Sequence, residues 1–225
     1  MSSVRDKDMT QILSGMCSEG IMVATDSMAT TFDGDGKERQ FTIDKLFSIG
    51  SHAFVVSGGM GISVELSRRF KQYAEKRQLV GIEKIIGAAG AYLSDQFRQS
   101  MGRIDQVRAM EGQFDRIYFL VGGYSFRSKE DPYQLALWGS EEAQLPLQRI
   151  HIGKSVVMPR ALAGETRLFR MCQENSSLTD LINFARDFLQ KQGKINPQIG
   201  PPFWFGTVTS SGFSRFSGDS LSRQF

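Results

Sequence analysis

The chain has 225 residues, with 27 Lys and Arg against 24 Asp and Glu and a formal net charge of +3. That length can bury a sizeable core without disulfide staples, and 40% hydrophobic with 23% charged residues excludes wholesale disorder. Only two His (His52, His151) and two Cys (Cys17, Cys172) are present, too few for a structural zinc site or a disulfide framework. No metal or cofactor is expected, and a catalytic centre built on His is starved of candidates.

The mild positive charge is weak support for a nucleic-acid partner, and none is expected. The opening segment MSSVRDKDM lacks the apolar core of a signal peptide. No apolar run approaches the ~20 residues that span a bilayer. With two unpaired-looking cysteines and no export signal, a cytoplasmic location is expected. Asn175-Ser176-Ser177 matches a glycosylation acceptor, which without export reads as coincidence.

In chain order, 11–17 and 20–25 are short apolar segments broken by Ser18-Glu19, which predicts a β-hairpin. Residues 33–40 read as a polar loop. Segments 43–49 and 53–57 form a second strand pair around Gly50-Ser51. Ile62, Leu66, Phe70 and Tyr73 make a helical stripe, and Ile82, Ile85, Ile86, Ala89, Leu93 and Phe97 make another over 82–100. Strands are predicted at 116–124, 133–138 and 151–158, and a helix at 166–174. Ser177-Leu178-Thr179-Asp180 resembles a capping box, and the helix it opens is expected to end near Gly193. A last strand is predicted at 203–209, and the Ser-rich tail 210–225 reads as loosely ordered.

Strands and helices are grouped rather than alternating. That excludes a doubly wound parallel sheet and predicts an α+β domain of antiparallel sheets with helices packed outside. No linker or internal repeat is visible, so one domain is expected over 10–209.

A Thr at the head of the first hairpin (Thr10) is followed by GIMVATDSMAT, then IDKLFSI, then VVSGGMG. In this order and spacing the chain resembles the proteasome β-subunit and HslV-type family of N-terminal nucleophile (Ntn) hydrolases. The resemblance is dense over 10–70 and weaker to about 209, through FLVGGY and FWFGTVT. It implies a four-layer αββα sandwich and a threonine-type peptidase. Thr10 matches the nucleophile, whose base in this family is its own α-amino group, with an ordinary pKa of about 7.7–8.0. Lys45 matches the catalytic Lys and Asp26 the acid that holds it charged. Gly58-Gly59 matches the oxyanion-hole turn, with Gly59 favoured when no gap is placed. Read alone, each has a plainer use: a strand start, a turn, an edge-strand charge, a strand-to-helix joint. The resemblance also implies a peptide or unfolded-protein substrate, homo-oligomeric stacked rings with sites facing an inner chamber, and an ATP-dependent unfoldase as a candidate partner. A non-peptidase amidase on the same fold and a catalytically silent ring subunit are the alternatives.

Two departures stand out. Nine residues precede Thr10, so its nitrogen is an amide unless 1–9 is a propeptide or Met9 is the true start. Downstream, the family's supporting Ser and Asp are missing from Ala161-Leu162-Ala163-Gly164-Glu165 and from Asn196 to Pro202. Other motifs fail on spacing. Gly59-Met60-Gly61 lacks the third Gly of a dinucleotide loop, and Asp33-Gly34-Asp35-Gly36 lacks the terminal Glu of a calcium loop. The Arg68, Arg69, Lys71, Lys76, Arg77 cluster reads as a solvated helix face, and Cys17 as a small buried hydrophobe.

Overall fold

A computed structural model describes residues 10–32, 37–111, 116–141 and 144–218. The segment 1–9, the Asp33–Gly36 motif and the end of the tail lie outside the described residues.

Two apolar segments flank the Ser18-Glu19 turn and pair as β1 (Ile12–Cys17) and β2 (Gly20–Thr25), with Ile12 opposite Thr25 and Cys17 opposite Gly20. The next hairpin, β3 (Met28–Phe32) and β4 (Glu38–Thr42), pairs only with itself. β4 begins at Glu38, inside the 33–40 segment that the sequence reads as loop, and β3 falls in a stretch for which no strand is predicted. β5 (Leu46–Ile49) and β6 (Ala53–Gly59) then run antiparallel around Gly50. Two helices follow, α1 (Ile62–Lys76) and α2 (Ile82–Glu111), the second longer than its apolar stripe predicts.

The chain returns through β7 (Ile117–Tyr124), β8 (Tyr133–Ser140), β9 (Gln148–Ile150) and β10 (Ser155–Met158). Then come α3 (Leu162–Gln173) and α4 (Leu178–Ile195). The predicted cap on α4 is present: Ser177 Oγ accepts from Asp180 N–H at 3.1 Å. Gly193 does not end α4; a Cβ there would meet the Ile199 carbonyl at 3.0 Å, so its glycine serves a close approach. β11 (Trp204–Thr209) pairs with β12 (Gly212–Ser217). The sheet therefore runs on to Ser217, past the boundary expected at 209.

One sheet has the order β10-β1-β2-β11-β12 and the other β5-β6-β7-β8-β9, and all their pairings are antiparallel. Strand alternation divides the core into three layers of packing. Ile12, Ile21 and Val23 face Phe54, Val56 and Leu120 between the sheets. Leu13, Met22 and Ala24 point the other way, against Leu168, Leu181 and Leu189 of α3 and α4. Val55, Phe119 and Val121 meet Leu66, Phe70, Leu93 and Phe97 of α1 and α2. The order is helices, sheet, sheet, helices: the expected αββα sandwich. A one-residue slip of β1 would exchange its two apolar sets, so the register is firmly specified.

The β1–β2 turn is fastened to the α3–α4 connection. Asn175, in a left-handed conformation at φ 54°, donates from Nδ2 to Ser18 Oγ at 2.8 Å. Glu19 Oε2 accepts from Leu178 N–H at 2.8 Å. Asn175 thus has a structural use at a helix end. Among the described residues no helix is long and apolar enough to cross a membrane, and no group of three or more His, Cys, Asp and Glu could hold a metal ion.

Candidate functional site

Thr10 sits half-buried at the head of β1. Continuing the β1–β2 register sets Gln11 opposite Asp26, and the backbone bears this out: Asp26 N–H donates to the Gln11 carbonyl at 3.4 Å. Asp26 is fully buried. Its Oδ1 accepts from Gln11 N–H at 3.0 Å and its Oδ2 from Met28 N–H at 2.9 Å. The carboxylate is fixed by the backbone on both sides before any cation is considered.

Lys45, just before β5, reaches across to it. Nζ lies 3.2 Å from both Oδ1 and Oδ2 and also donates to the Met28 carbonyl. Lys45 is 2% exposed. Burial pushes the Asp26 carboxyl up, opposed by the Lys45 ammonium and by the Gln11 and Met28 N–H groups. Burial pushes Lys45 below the usual lysine range, opposed by Asp26. The solvated edge-strand reading of Lys45 does not hold, because the side chain is enclosed between the sheets' ends.

The two glycines at the end of β6 do different things. Gly58 lies against Thr10: a Cβ there would stand 3.3 Å from Thr10 Cβ and 3.2 Å from Ile12 Cδ1. Gly59 has φ +90°, and a Cβ there would fall 2.1 Å from the Arg116 carbonyl oxygen, so only glycine fits. Met60 N–H donates to that same carbonyl at 2.9 Å. Successive N–H groups of an antiparallel strand alternate sides. Gly58 N–H therefore falls on the β7 side with Met60, and Gly59 N–H on the opposite side. On that side β5 stops pairing at Leu46, opposite Val56. The Gly59 N–H is the one the ladder leaves over.

One of the two segments that lack the expected Ser and Asp, 196–202, reaches the site. Ser27 donates from Oγ to the Pro202 carbonyl at 2.5 Å and from N–H to the Gly200 carbonyl at 3.3 Å. The 196–202 segment thus packs on the residue after Asp26. At the start of α3, Arg160 makes an exposed ion pair with Glu165 at 2.9 Å. Gln11 Nε2 donates to the Met158 carbonyl at 3.1 Å and the Pro159 carbonyl at 3.4 Å. Sequence reasoning missed Gln11 and Ser27. Ser27 lies within GIMVATDSMAT but carries no role in the resemblance, Gln11 lies between motif residues, and a polar residue at a strand end gives no periodic signal.

No protein-family model and no curated protein matches the sequence. Solved structures do. The chain is similar to one described as the helical assembly of the Anbu complex from Pseudomonas aeruginosa, at 17% identity and a TM-score of 0.67, over 96% of this chain and 92% of that one. It is also similar to Anbu (ancestral beta-subunit) from Yersinia bercovieri, at 15% identity and a TM-score of 0.63, over 95% and 89%. At these identities the likeness shows the fold alone. It corrects the family suggested by the sequence motifs: the structural relatives are Anbu proteins, which share a proteasome-like fold but are distinct from HslV-type threonine peptidases.

Proposed function

We propose that this chain is a threonine-type amide-bond hydrolase of proteasome-like fold, acting on peptide bonds as a subunit of a larger assembly. The observation that carries the reading is the buried Lys45–Asp26 pair, hydrogen-bonded through the Gln11 N–H to the residue after Thr10. A desolvated ion pair is a poor device for stability alone and a common one at catalytic centres.

In this reading Thr10 Oγ attacks the substrate carbonyl carbon while its proton passes to the free α-amino nitrogen of Thr10. The tetrahedral oxyanion accepts a hydrogen bond from the Gly59 N–H. The C–N bond breaks, the leaving amine takes the proton, and an ester to Thr10 remains. Water then adds to the ester with the α-amine again as base, releasing a carboxylic acid and restoring the hydroxyl. Lys45 supplies a fixed positive charge that favours the alkoxide, and Asp26 keeps that charge in place.

The chemistry needs Thr10 to be the first residue of the working chain. Intact-mass measurement on protein made in its native host tests this. The reading expects loss of residues 1–9, peptide hydrolysis, and abolition of hydrolysis in Thr10→Ala. Retention of the Met9–Thr10 bond would favour a catalytically silent subunit, a reading supported by the absence of a Ser in the Ala161–Gly164 segment. Cleavage of small acyl amides but no peptides would favour a non-peptidase amidase. Assembly is proposed from the Anbu relative described as a helical complex. Light scattering with negative-stain imaging tests it, and a monomer at micromolar concentration would overturn it.

A further inference from the structure

We propose that Gln11 is a positioning residue for Thr10, fastening the head of β1 to the β10–α3 connection through its side-chain amide. The inference rests on the hydrolase reading above.

Paired register between β1 and β10 begins at Ile12, opposite Met158. One step further, Gln11 comes opposite Pro159. Proline has no N–H, so the ladder cannot continue there. The Gln11 side chain takes over. It is buried, with the residue 2% exposed, and Nε2 donates to the carbonyls of both Met158 and Pro159. The main chain of Gln11 is held on its other side by Asp26, whose Oδ1 accepts its N–H and whose N–H donates to its carbonyl. Residue 11 is therefore clamped between β2 and the β10–α3 connection. This fixes the exit direction of Thr10 beside Gly58. A misplacement of about 1 Å can cost a hundredfold in rate, so a clamp one residue from a nucleophile has leverage on turnover out of proportion to its own hydrogen bonds.

The test uses the assembled protein with Thr10 freed, and a β-lactone, which acylates a nucleophilic hydroxyl. Gln11→Met removes the donors at similar length, and Gln11→Glu keeps the shape but opposes the two carbonyls. The expected result is labelling of the unsubstituted protein at Thr10, and labelling and kcat about tenfold or more slower in both variants. KM should stay within about twofold, with Gln11→Glu the slower variant. Labelling of Gln11→Met at the unsubstituted rate would overturn the positioning role and leave the hydrolase reading standing. No labelling of the unsubstituted protein would overturn both. If neither variant folds by far-UV circular dichroism, Gln11 is structural and the proposal fails.

Discussion

Lys45 Nζ stands 3.2 Å from each carboxylate oxygen of Asp26, and neither side chain is more than 2% exposed. With one partner removed, the other is left as a buried charge. Asp26→Asn and Lys45→Met should each destabilise by about 3–5 kcal/mol, and the double variant should lose less than the sum. Urea unfolding of the four proteins measures this. Strict additivity would mean the two groups do not depend on each other.

Gly58 and Gly59 are adjacent, yet alanine should act differently at each. At Gly59 the new Cβ meets a backbone carbonyl and requires a conformation that alanine avoids, so a loss of about 3 kcal/mol or more is expected. At Gly58 it meets the end of Ile12 and Thr10 Cβ at 3.2–3.3 Å. Stability should fall by about 1 kcal/mol or less, while peptide hydrolysis falls roughly 10- to 100-fold because Thr10 is displaced. Thermal melts beside steady-state kinetics separate the two. Equal melting losses at both sites would contradict the geometry.

How legible this was depends on where each residue's partners lie. β1 and β2 are two apolar runs around a polar turn, and α1 and α4 carry clear stripes, so local pattern found them. β3 and β4 pair only with each other, and the residues from Thr31 to Thr42 whose burial is described are exposed, so no buried face imposes alternation. β12 hides its Phe213 and Phe216 in a serine-rich stretch, one facing the inter-sheet core and the other the helical side. At the site, Thr10, Asp26, Lys45, Gly58 and Gly59 are visible in the sequence only through a family resemblance. Even that resemblance named the wrong branch, because motifs this short are shared across proteasome-like proteins. The ties made by Gln11 and Ser27 cross 147 and 175 residues of sequence. No local pattern encodes a contact that only the packed sheets create.

Ser57, next to Gly58, is fully buried, and its Oγ has no hydrogen-bond partner among the described residues. A buried hydroxyl without a protein partner carries a desolvation cost of about 1–3 kcal/mol. Ser57→Ala should therefore be neutral or stabilising by up to about 1 kcal/mol. Urea titration reads the sign. A loss above about 1 kcal/mol would mean that the hydroxyl is satisfied by an internal water, which high-resolution crystallography would then reveal.

Cys172 lies on the buried face of α3 against β1, where a Cβ on Gly15 would come 2.9 Å from its Sγ. Burial pushes its thiol up to about 11, from an ordinary value near 9. Between those values the unfolded chain has lost a proton that the folded chain keeps, so the unfolded state gains on the folded one as pH rises. The Cys172 contribution to stability is thus fully present below about pH 9 and is lost as pH rises through about 11. Denaturant midpoints measured across that window should fall with pH, and Cys172→Ala should flatten the slope. A thiol reagent at pH 8 should leave Cys172 unmodified in the folded protein and modify it once urea unfolds the chain. Rapid labelling of Cys172 under native conditions would show that the α3 face opens far more readily than its packing implies.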